Sequence, residues 1–257
     1  MKEIKKYFES RAGKYSFYFE DISSGYVYGY NENVPMIAAG CIKLPIALAL
    51  LKEVERGNYT LEDKHYINES DKVFGTGIIY ELGEREYTLK ELIAAMLIQS
   101  DNTASNKIIS IVGMKKINDN FKELGLKNTI LKSKTSDVSK DEEENISTSY
   151  DLSLCWKALM NNTYLSKENS EGLINLLSRQ QLKSKSTLYI SEDLKSYISN
   201  KTGDKTSIEN DTMLIRLQKG NFTFTVMSSE VPNSVYGLVT LAKAGKMMWD
   251  SINNLWI

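Results

Sequence analysis

The octapeptide AAGCIKLP, residues 38–45, places a lysine three residues after a glycine at the start of an apolar segment. Residues three apart lie on the same face of a helix, so a side chain at position 40 would lie beside Lys43. A lysine there could take the proton of a hydroxyl nucleophile, as acyl transfer requires. Gly40, however, has no side chain. The segment therefore has the base of an acyl-transfer site without its nucleophile.

Two further tripeptides carry groups that could assist such chemistry. Ser100-Asp101-Asn102 directly follows a helical pattern, and Lys201-Thr202-Gly203 follows the segment SYIS, which we predict to be a strand. Each tripeptide alone is a weak signal, because short combinations of this kind occur by chance in many chains. Their order, their spacing and their positions at a helix start, a helix end and a strand end make the three together informative.

The elements that must position these residues are strands at both ends of the chain. YSFYFEDI, 15–22, alternates aromatic and polar residues, and a Ser-Ser-Gly turn leads into YVYGYN, 26–31. This pattern predicts a hairpin. TMLIRLQ and FTFTVMSS flank Lys-Gly-Asn near the C-terminus and predict a second hairpin. The segment from about residue 233 to 252 has apolar residues at helical spacing.

The middle of the chain is predicted to be helical. Residues 42–54 are almost all apolar, which indicates a helix buried on most sides. TLKELIAAMLIQ begins with a capping box formed by Thr88 and Glu91. Thr148 is the expected cap of another helix, with Asp151 in its first turn. The simplest fold is a sheet built from both termini with a helical lobe inserted.

S-x-x-K, S-D-N and K-T-G are together the signature of class A β-lactamases and penicillin-binding proteins. The chain resembles this serine hydrolase family, with Gly40 at the nucleophile position. YGYNENVPMIAAGCIKLPIALAL is similar to the family's stretch from the second strand through the nucleophile helix, and TLKELIAAMLIQSDNTASNKII is similar to its SDN region. The C-terminal hairpin and final helix also match, so the resemblance covers almost the whole chain.

The resemblance implies an α/β (α+β) fold of the β-lactamase/transpeptidase type. We expect an antiparallel five-stranded sheet, flanked by the N- and C-terminal helices, and an inserted all-helical lobe. The chain would be a single domain, 1–257, with a sheet lobe formed by 1–35 and 191–257 and a helical lobe formed by 36–190. The active site would lie in the cleft between the lobes.

The resemblance also implies the role of each site residue. Lys43 would be the base for a nucleophile at position 40, and Ser100 would relay a proton to the leaving nitrogen. Asn102 would hold the side-chain amide of the substrate. Lys201 and Thr202 would bind the carboxylate that β-lactams and peptidoglycan stem peptides share. The expected substrate-binding set is Asn102, Lys201, Thr202, Gly203 and Asp204, and the backbone N–H groups of residues 40 and 204 would form the oxyanion hole, which needs no particular side chain.

Two departures from the family pattern decide what this chain can do. Without a serine at position 40, no acyl-enzyme forms by the usual route. Cys41 is a poor substitute, because adjacent helical residues point in different directions, and we expect it to face the core. The family's Glu-x-x-Leu-Asn, whose glutamate activates the deacylating water, is also absent. Asp141 stands four residues before Asn145, at the family spacing, but it is a shorter acid.

Each residue also has an ordinary interpretation. Lys43 and Lys201 could be surface lysines, Ser100 or Asp101 could cap the next helix, and Gly203 could end a strand. His65 is the only histidine, and two cysteines are too few for a zinc cluster. We therefore expect no metal and no cofactor.

Composition limits the partners. The chain has 257 residues and a net charge of −1, without a basic run that would track phosphates. We expect no nucleic-acid partner, no membrane partner and a monomer. The N-terminus lacks the apolar run of a signal peptide. The family resemblance implies a secreted or cell-envelope protein, and a complete chain without a leader would imply a cytoplasmic one.

The sequence thus predicts a class A β-lactamase-like scaffold that is inactive as written and binds β-lactams without cleaving them. A D,D-peptidase-like protein is the alternative within the enzymes, and a binding or sensing module for peptidoglycan fragments is the alternative outside them. Deliberate substitution and natural loss both account for Gly40. A serine codon at position 40 in the source genome would identify the substitution as deliberate.

Overall fold

A five-stranded antiparallel sheet, built from both ends of the chain, is the centre of the fold in the computed structural model, which describes residues 1–135 and 143–255. The strand order is β2-β1-β9-β8-β7. In chain order, the strands are β1 (Lys14–Asp21), β2 (Val27–Tyr30), β3 (Met36–Ile37), β4 (Lys64–Ile67), β5 (Arg85–Thr88), β6 (Ile146–Ser147), β7 (Ile198–Lys205), β8 (Ile208–Leu217) and β9 (Gly220–Ser229).

Both predicted hairpins are confirmed. Strands β1 and β2 pair antiparallel with Phe17 opposite Tyr30, and β8 and β9 pair with Leu217 opposite Gly220. The apolar residues on one face of the sheet pack against the two terminal helices, which contribute Ile4 and Ile252 to the same core. Because β1 pairs with β9, the two ends of the chain form one sheet.

The helices are α1 (Lys2–Glu9), α2 (Lys43–Glu55), α3 (Leu89–Ile98), α4 (Asn102–Val112), α5 (Met114–Leu124), α6 (Ser149–Met160), α7 (Lys167–Ser178), α8 (Glu192–Lys195) and α9 (Ser234–Leu255). The capping box of Thr88 and Glu91 is present at α3, and Thr148 accepts from the Asp151 N–H at α6. Most of α2 is buried in the larger core, as its apolar sequence predicts. The lobe expected to be all-helical also contains two small two-stranded sheets, β3 with β6 and β4 with β5.

Two local predictions need correction. Lys201-Thr202-Gly203 lies inside β7, not after it, because the polar run that follows SYIS continues to pair with β8 as far as Lys205. Residues 39–42 form a short 3-10 turn, so α2 begins at Lys43 and Gly40 lies just before it. β7 is an edge strand, so one side of it remains open to face this turn.

The structure contains no membrane-spanning candidate in its described part. Across residues 1–135 and 143–255, each helix is too short or too polar to cross a bilayer.

Candidate functional site

A cleft of about 300 Å³ separates β7 from the helices. Gly40 and Lys43 form its floor, Ser100 and Asn102 one wall, and the end of β7 the other. Its full lining is Ala39, Gly40, Lys43, Gly75, Thr76, Ser100, Asn102, Lys134, Thr135, Glu144, Asn145, Gly203, Asp204 and Lys205. Three stretches far apart in the sequence, around residues 40, 100 and 203, therefore meet at one place.

Lys43 is a buried lysine, not a surface one, with 1% exposure. Its Nζ lies 2.5 Å from Ser100 O, 3.2 Å from Ser100 Oγ and 2.7 Å from Asn102 Oδ1. Burial, together with the nearby charge of Lys201, lowers the pKa of Lys43 well below its ordinary value. Burial therefore makes it easier for Lys43 to reach the neutral form, which can accept a proton.

Ser100 lies between two lysines. Its Oγ is 3.2 Å from Lys43 Nζ and 3.0 Å from Lys201 Nζ. The Ser100 backbone has φ +57°, a left-handed conformation that is uncommon for residues other than glycine. This conformation follows the end of α3 and turns the hydroxyl into the cleft. Ser100 therefore connects two amines and does not cap α4.

Lys201 and Thr202 are buried behind the cleft wall, at 0% and 1% exposure. Lys201 Nζ donates to Ser100 Oγ and, at 2.7 Å, to Thr202 O, which uses two of the three ammonium hydrogens. Burial lowers the pKa of Lys201 to about 8. The Thr202 hydroxyl accepts from Gln180 Nε2 at 3.2 Å, so its own hydrogen remains to donate.

Gly40 faces Ser100 across the cleft floor. A Cβ built on Gly40 lies 3.1 Å from Ser100 Oγ, 3.3 Å from Gly203 Cα and 2.8 Å from Thr202 O. A side chain at this position would point at the Ser100 hydroxyl and would require a small outward shift of β7. Gly40 and Ser100 are therefore in reach of the same reacting group.

Cys41 faces away from the cleft, as predicted. The residue has 0% exposure, and its thiol donates to Lys201 O at 3.3 Å. Burial raises the pKa of the thiol to about 12. The reactive thiolate form is therefore disfavoured, and a ligand in the cleft cannot reach the sulfur.

Asp101 is an architectural residue. One carboxylate oxygen accepts from the backbone N–H groups of Ile78 and Ile79, at 2.7 and 2.9 Å, and the other accepts from Ala104 N at 2.8 Å. The last bond caps α4, which agrees with the capping interpretation of this residue. Asp101 thus ties the segment between β4 and β5 to α4, the helix that begins at the cleft.

Asn102 contacts Lys43 and also the loop at Thr76, which lines the cleft. Its Oδ1 accepts from Lys43 Nζ, and its backbone N–H donates to Thr76 O at 2.9 Å. The Nδ2 atom lies 3.1 Å from a Cβ built on Gly75. The amide therefore lies in the cleft lining between Lys43 and Gly75, with its oxygen engaged.

Asp141, the candidate for water activation, lies outside the described residues. Two later residues of the motif, Glu144 and Asn145, line the cleft and are held by their own contacts. The Asn145 side chain accepts from the N–H groups of Lys132 and Ser133, at 2.7 and 3.0 Å, and donates to Ser133 O at 3.1 Å. Glu144 forms an ion pair with Lys205 across the mouth of the cleft. Asn145 therefore serves the local turn.

Sequence reasoning missed a buried ion pair beside β7. Lys185 Nζ lies 2.6 Å from Glu209 Oε2, and both side chains are at most 7% exposed. Glu209 is on β8, and Lys185 belongs to the segment between α7 and α8. Nothing in the surrounding sequence, QLKSKSTLY, distinguishes Lys185 from an exposed lysine.

The comparisons with known proteins agree with this architecture. Residues 1–252 match the family described as the beta-lactamase enzyme family. The D-alanyl-D-alanine carboxypeptidase DacF of Bacillus subtilis is 31% identical over 141 residues, which are 52% of this chain and 35% of DacF. The chain thus matches about a third of that relative's length.

Two solved structures have the same fold. A β-lactamase from Sphaerobacter thermophilus gives a TM-score of 0.89 at 25% identity, over 96% of this chain and 94% of that one. A leucine-to-glutamate mutant of PBP-A, solved as an acyl-enzyme complex with penicillin G, gives a TM-score of 0.90 at 22% identity, over 99% of this chain and 96% of that one.

Fold and cleft together define a serine hydrolase scaffold of the β-lactamase and penicillin-binding type. The chain belongs to the beta-lactamase enzyme family.

Proposed function

We propose that this chain binds β-lactams non-covalently in the cleft and does not cleave them. The single observation that supports the proposal most is the convergence of Lys43 and Lys201 on Ser100 Oγ, at 3.2 and 3.0 Å, directly above Gly40. The groups that we assign to proton transfer and binding lie together, and the oxygen that would attack a carbonyl is missing.

The binding roles follow from the chemistry of the buried groups. Lys201 has one ammonium hydrogen left for a ligand carboxylate, and Thr202 has its hydroxyl hydrogen. Asn102 lines the cleft, and its Nδ2 would donate to a ligand side-chain amide. We assign the oxyanion site to the backbone N–H groups of Gly40 and Asp204, which line the same cleft.

The inactivity follows from Gly40. Lys43 can accept a proton, but no hydroxyl is present to donate one. Removal of the nucleophile from a comparable acyl-transfer site lowers the rate by about 10⁶ and leaves roughly 10³–10⁴ over water from binding and the oxyanion hole. Cys41 does not replace the nucleophile, because it is buried away from the cleft.

A D,D-peptidase-like ligand is the second candidate. The relatedness to DacF, a D-alanyl-D-alanine carboxypeptidase, favours a peptide that ends in D-Ala-D-Ala. Such a peptide has the same terminal carboxylate as a β-lactam, so Lys201 and Thr202 serve both. Parallel titrations with penicillin G and with an acetylated D-Ala-D-Ala peptide distinguish the two ligands by affinity. A non-catalytic sensor of peptidoglycan fragments would bind the peptide and remain without turnover after a serine is restored.

Intact-mass spectrometry tests the proposal. The Gly40 form and a Gly40→Ser variant are each incubated with penicillin G. We expect a drug-mass adduct on the serine form alone, mapped to position 40, and saturable calorimetric binding by the Gly40 form. Cys41 is an internal control, because it is present in both forms and should stay unmodified. An adduct on the Gly40 form at Cys41 would show a thiol enzyme instead, and no binding to either form would contradict the proposal.

A further inference from the structure

The ammonium of Lys185 is buried against the back of the cleft wall. Its Nζ lies 2.8 Å from Gly203 O, 2.6 Å from Glu209 Oε2 and 3.3 Å from Asp204 Oδ1. A lysine ammonium has three hydrogens, and three acceptors surround this one. Lys185 is not among the site residues predicted from the sequence. It nevertheless contacts β7, the strand that forms one side of the cleft.

The pairing of β7 with β8 explains why a cation is needed here. Asp204 stands directly opposite Glu209 in the sheet. Like charges in directly opposed positions repel each other, and Lys185 lies between the two carboxylates. Glu209 is held from behind by α9, where a Cβ on Gly237 would lie 2.7 Å from Glu209 Cγ. The carboxylate that anchors Lys185 therefore has little freedom to move.

The contact between Lys185 Nζ and Gly203 O is separated from the cleft by a single peptide group. The carbonyl of Gly203 and the N–H of Asp204 belong to the same planar trans peptide, so they point in opposite directions. Lys185 holds the carbonyl end, and the N–H end points away from Lys185. Asp204 lines the cleft beside Gly40, whose nitrogen lies 2.7 Å from a Cβ built on Gly203.

We propose that Lys185 is a positioning residue, whose ammonium, anchored by Glu209, fixes the plane of the Gly203–Asp204 peptide and strengthens the Asp204 N–H as a donor to a carbonyl oxygen in the cleft. A cation on the carbonyl oxygen draws electron density from the amide nitrogen, and linked hydrogen bonds strengthen one another by about 10–30% each. The inference rests on the proposed function, which assigns that N–H to the oxyanion site.

Amide NMR of the Gly40 chain tests the polarisation without any turnover. Loss of the hydrogen bond at Gly203 O should move the ¹⁵N resonance of Asp204 upfield. Lys185→Met alone would leave Glu209 buried and unpaired, so Lys185→Met/Glu209→Gln, which removes both charges, is measured beside it. Lys183→Met is the matched control, since Lys183 Nζ bonds Ser178 O at 2.7 Å, away from Gly203. An unmoved Asp204 resonance in a folded variant overturns the proposal.

Vibrational spectroscopy tests the consequence for the oxyanion site. In a Gly40→Ser background with a ¹³C-labelled penicillin, the ester carbonyl stretch should rise in Lys185→Met/Glu209→Gln, because a weaker donor polarises the carbonyl less. Acylation should slow by about tenfold, less than the 10²–10³ that removal of a whole oxyanion donor causes. Lys185→Arg, which keeps the cation, should restore both values.

The outcomes separate this inference from the proposed function. A purely structural Lys185 would change thermal stability and leave both the ¹⁵N shift and the carbonyl stretch unchanged, which overturns the inference. Absence of penicillin binding by the Gly40 chain contradicts the proposed function, and failure of Gly40→Ser to form any acyl-enzyme favours the binding or sensing module. In either case, the Asp204 resonance of the Gly40 chain still decides whether Lys185 polarises the peptide.

Discussion

Gly40 and Gly203 meet backbone to backbone, such that a Cβ built on Gly203 would lie 2.7 Å from the Gly40 nitrogen. The turn before α2 and the edge strand β7 can approach this closely because neither residue has a side chain at the contact. The approach brings Lys43, the first residue of α2, and Lys201 of β7 to the Ser100 hydroxyl.

Gly203→Ala should disturb the cleft from its wall. The new methyl would also lie 2.8 Å from Cys41 N and 2.9 Å from Ala38 O, all backbone atoms that cannot rotate away. We expect a loss of about 1–3 kcal/mol in the free energy of unfolding and weaker penicillin binding. Urea denaturation and calorimetry measure the two effects. Gly83→Ala is the control, because a Cβ there meets nothing within 4 Å. Equal effects of the two variants would show that the contact is unimportant.

Penicillin affinity should depend on pH through Lys201. Burial lowers the pKa of Lys201 to about 8 in the ligand-free protein, and a carboxylate binds the protonated form. Affinity should therefore be constant below pH 8 and should fall by about tenfold for each pH unit above it. Calorimetric titrations from pH 6 to 10 measure this.

Lys201→Ala provides the contrast for that titration. A charge-assisted hydrogen bond contributes roughly 1.5–3 kcal/mol, so the variant should bind about tenfold more weakly or worse. Its affinity should also lose the dependence on pH near 8. Lys183→Ala should bind as the parent does. Equal affinity of Lys201→Ala and the parent would remove Lys201 from the carboxylate site.

Lys43 should be the base once a hydroxyl is present. In the Gly40→Ser background, Lys43→Met keeps a long unbranched side chain but cannot accept a proton. We expect acylation by penicillin to slow by about 10²–10⁴, measured by stopped-flow or by mass spectrometry over time. Lys52→Met is the matched control on the same helix, where Nζ bonds Tyr164 O outside the cleft. An unchanged rate in Lys43→Met would assign the base elsewhere.

Asp141 should matter little to deacylation. In the Gly40→Ser background we expect Asp141→Ala to change the lifetime of the acyl-enzyme only several-fold, because the position is a weak match to the family's glutamate. The adduct should persist in both proteins. Mass spectrometry after removal of free penicillin would measure how fast the adduct decays. A loss of several orders of magnitude in the deacylation rate would instead make Asp141 the residue that activates water.

Local signals predicted much of the fold. Features that depend on residues close together in sequence could be predicted. They are the hairpins, the capping box of Thr88 and Glu91, and the cap at Thr148. The continuation of β7 through Lys201 could not be predicted, because Asn-Lys-Thr-Gly-Asp has no strand pattern. Pairing with β8 and burial under the turn at Gly40 determine that strand, and both are tertiary effects.

The candidate site, too, could be predicted only in part. Three motifs located the cleft, since a motif fixes residue types at short range. The Lys185–Glu209 pair joins residues that are 24 apart in number and depends on how α9 packs behind β8. The backbone conformation of Ser100 was also invisible, because serine gives no sign of a positive φ.

The conformation of Ser100 also has a cost for folding. A left-handed φ costs an L-residue roughly 1–2 kcal/mol that glycine does not lose. Glycine at position 100 would relieve this backbone cost, but it would remove the hydroxyl to which Lys43 and Lys201 donate. Two buried ammonium groups would then face each other without the oxygen that separates them. The cleft therefore holds its two lysines together at the expense of local backbone stability.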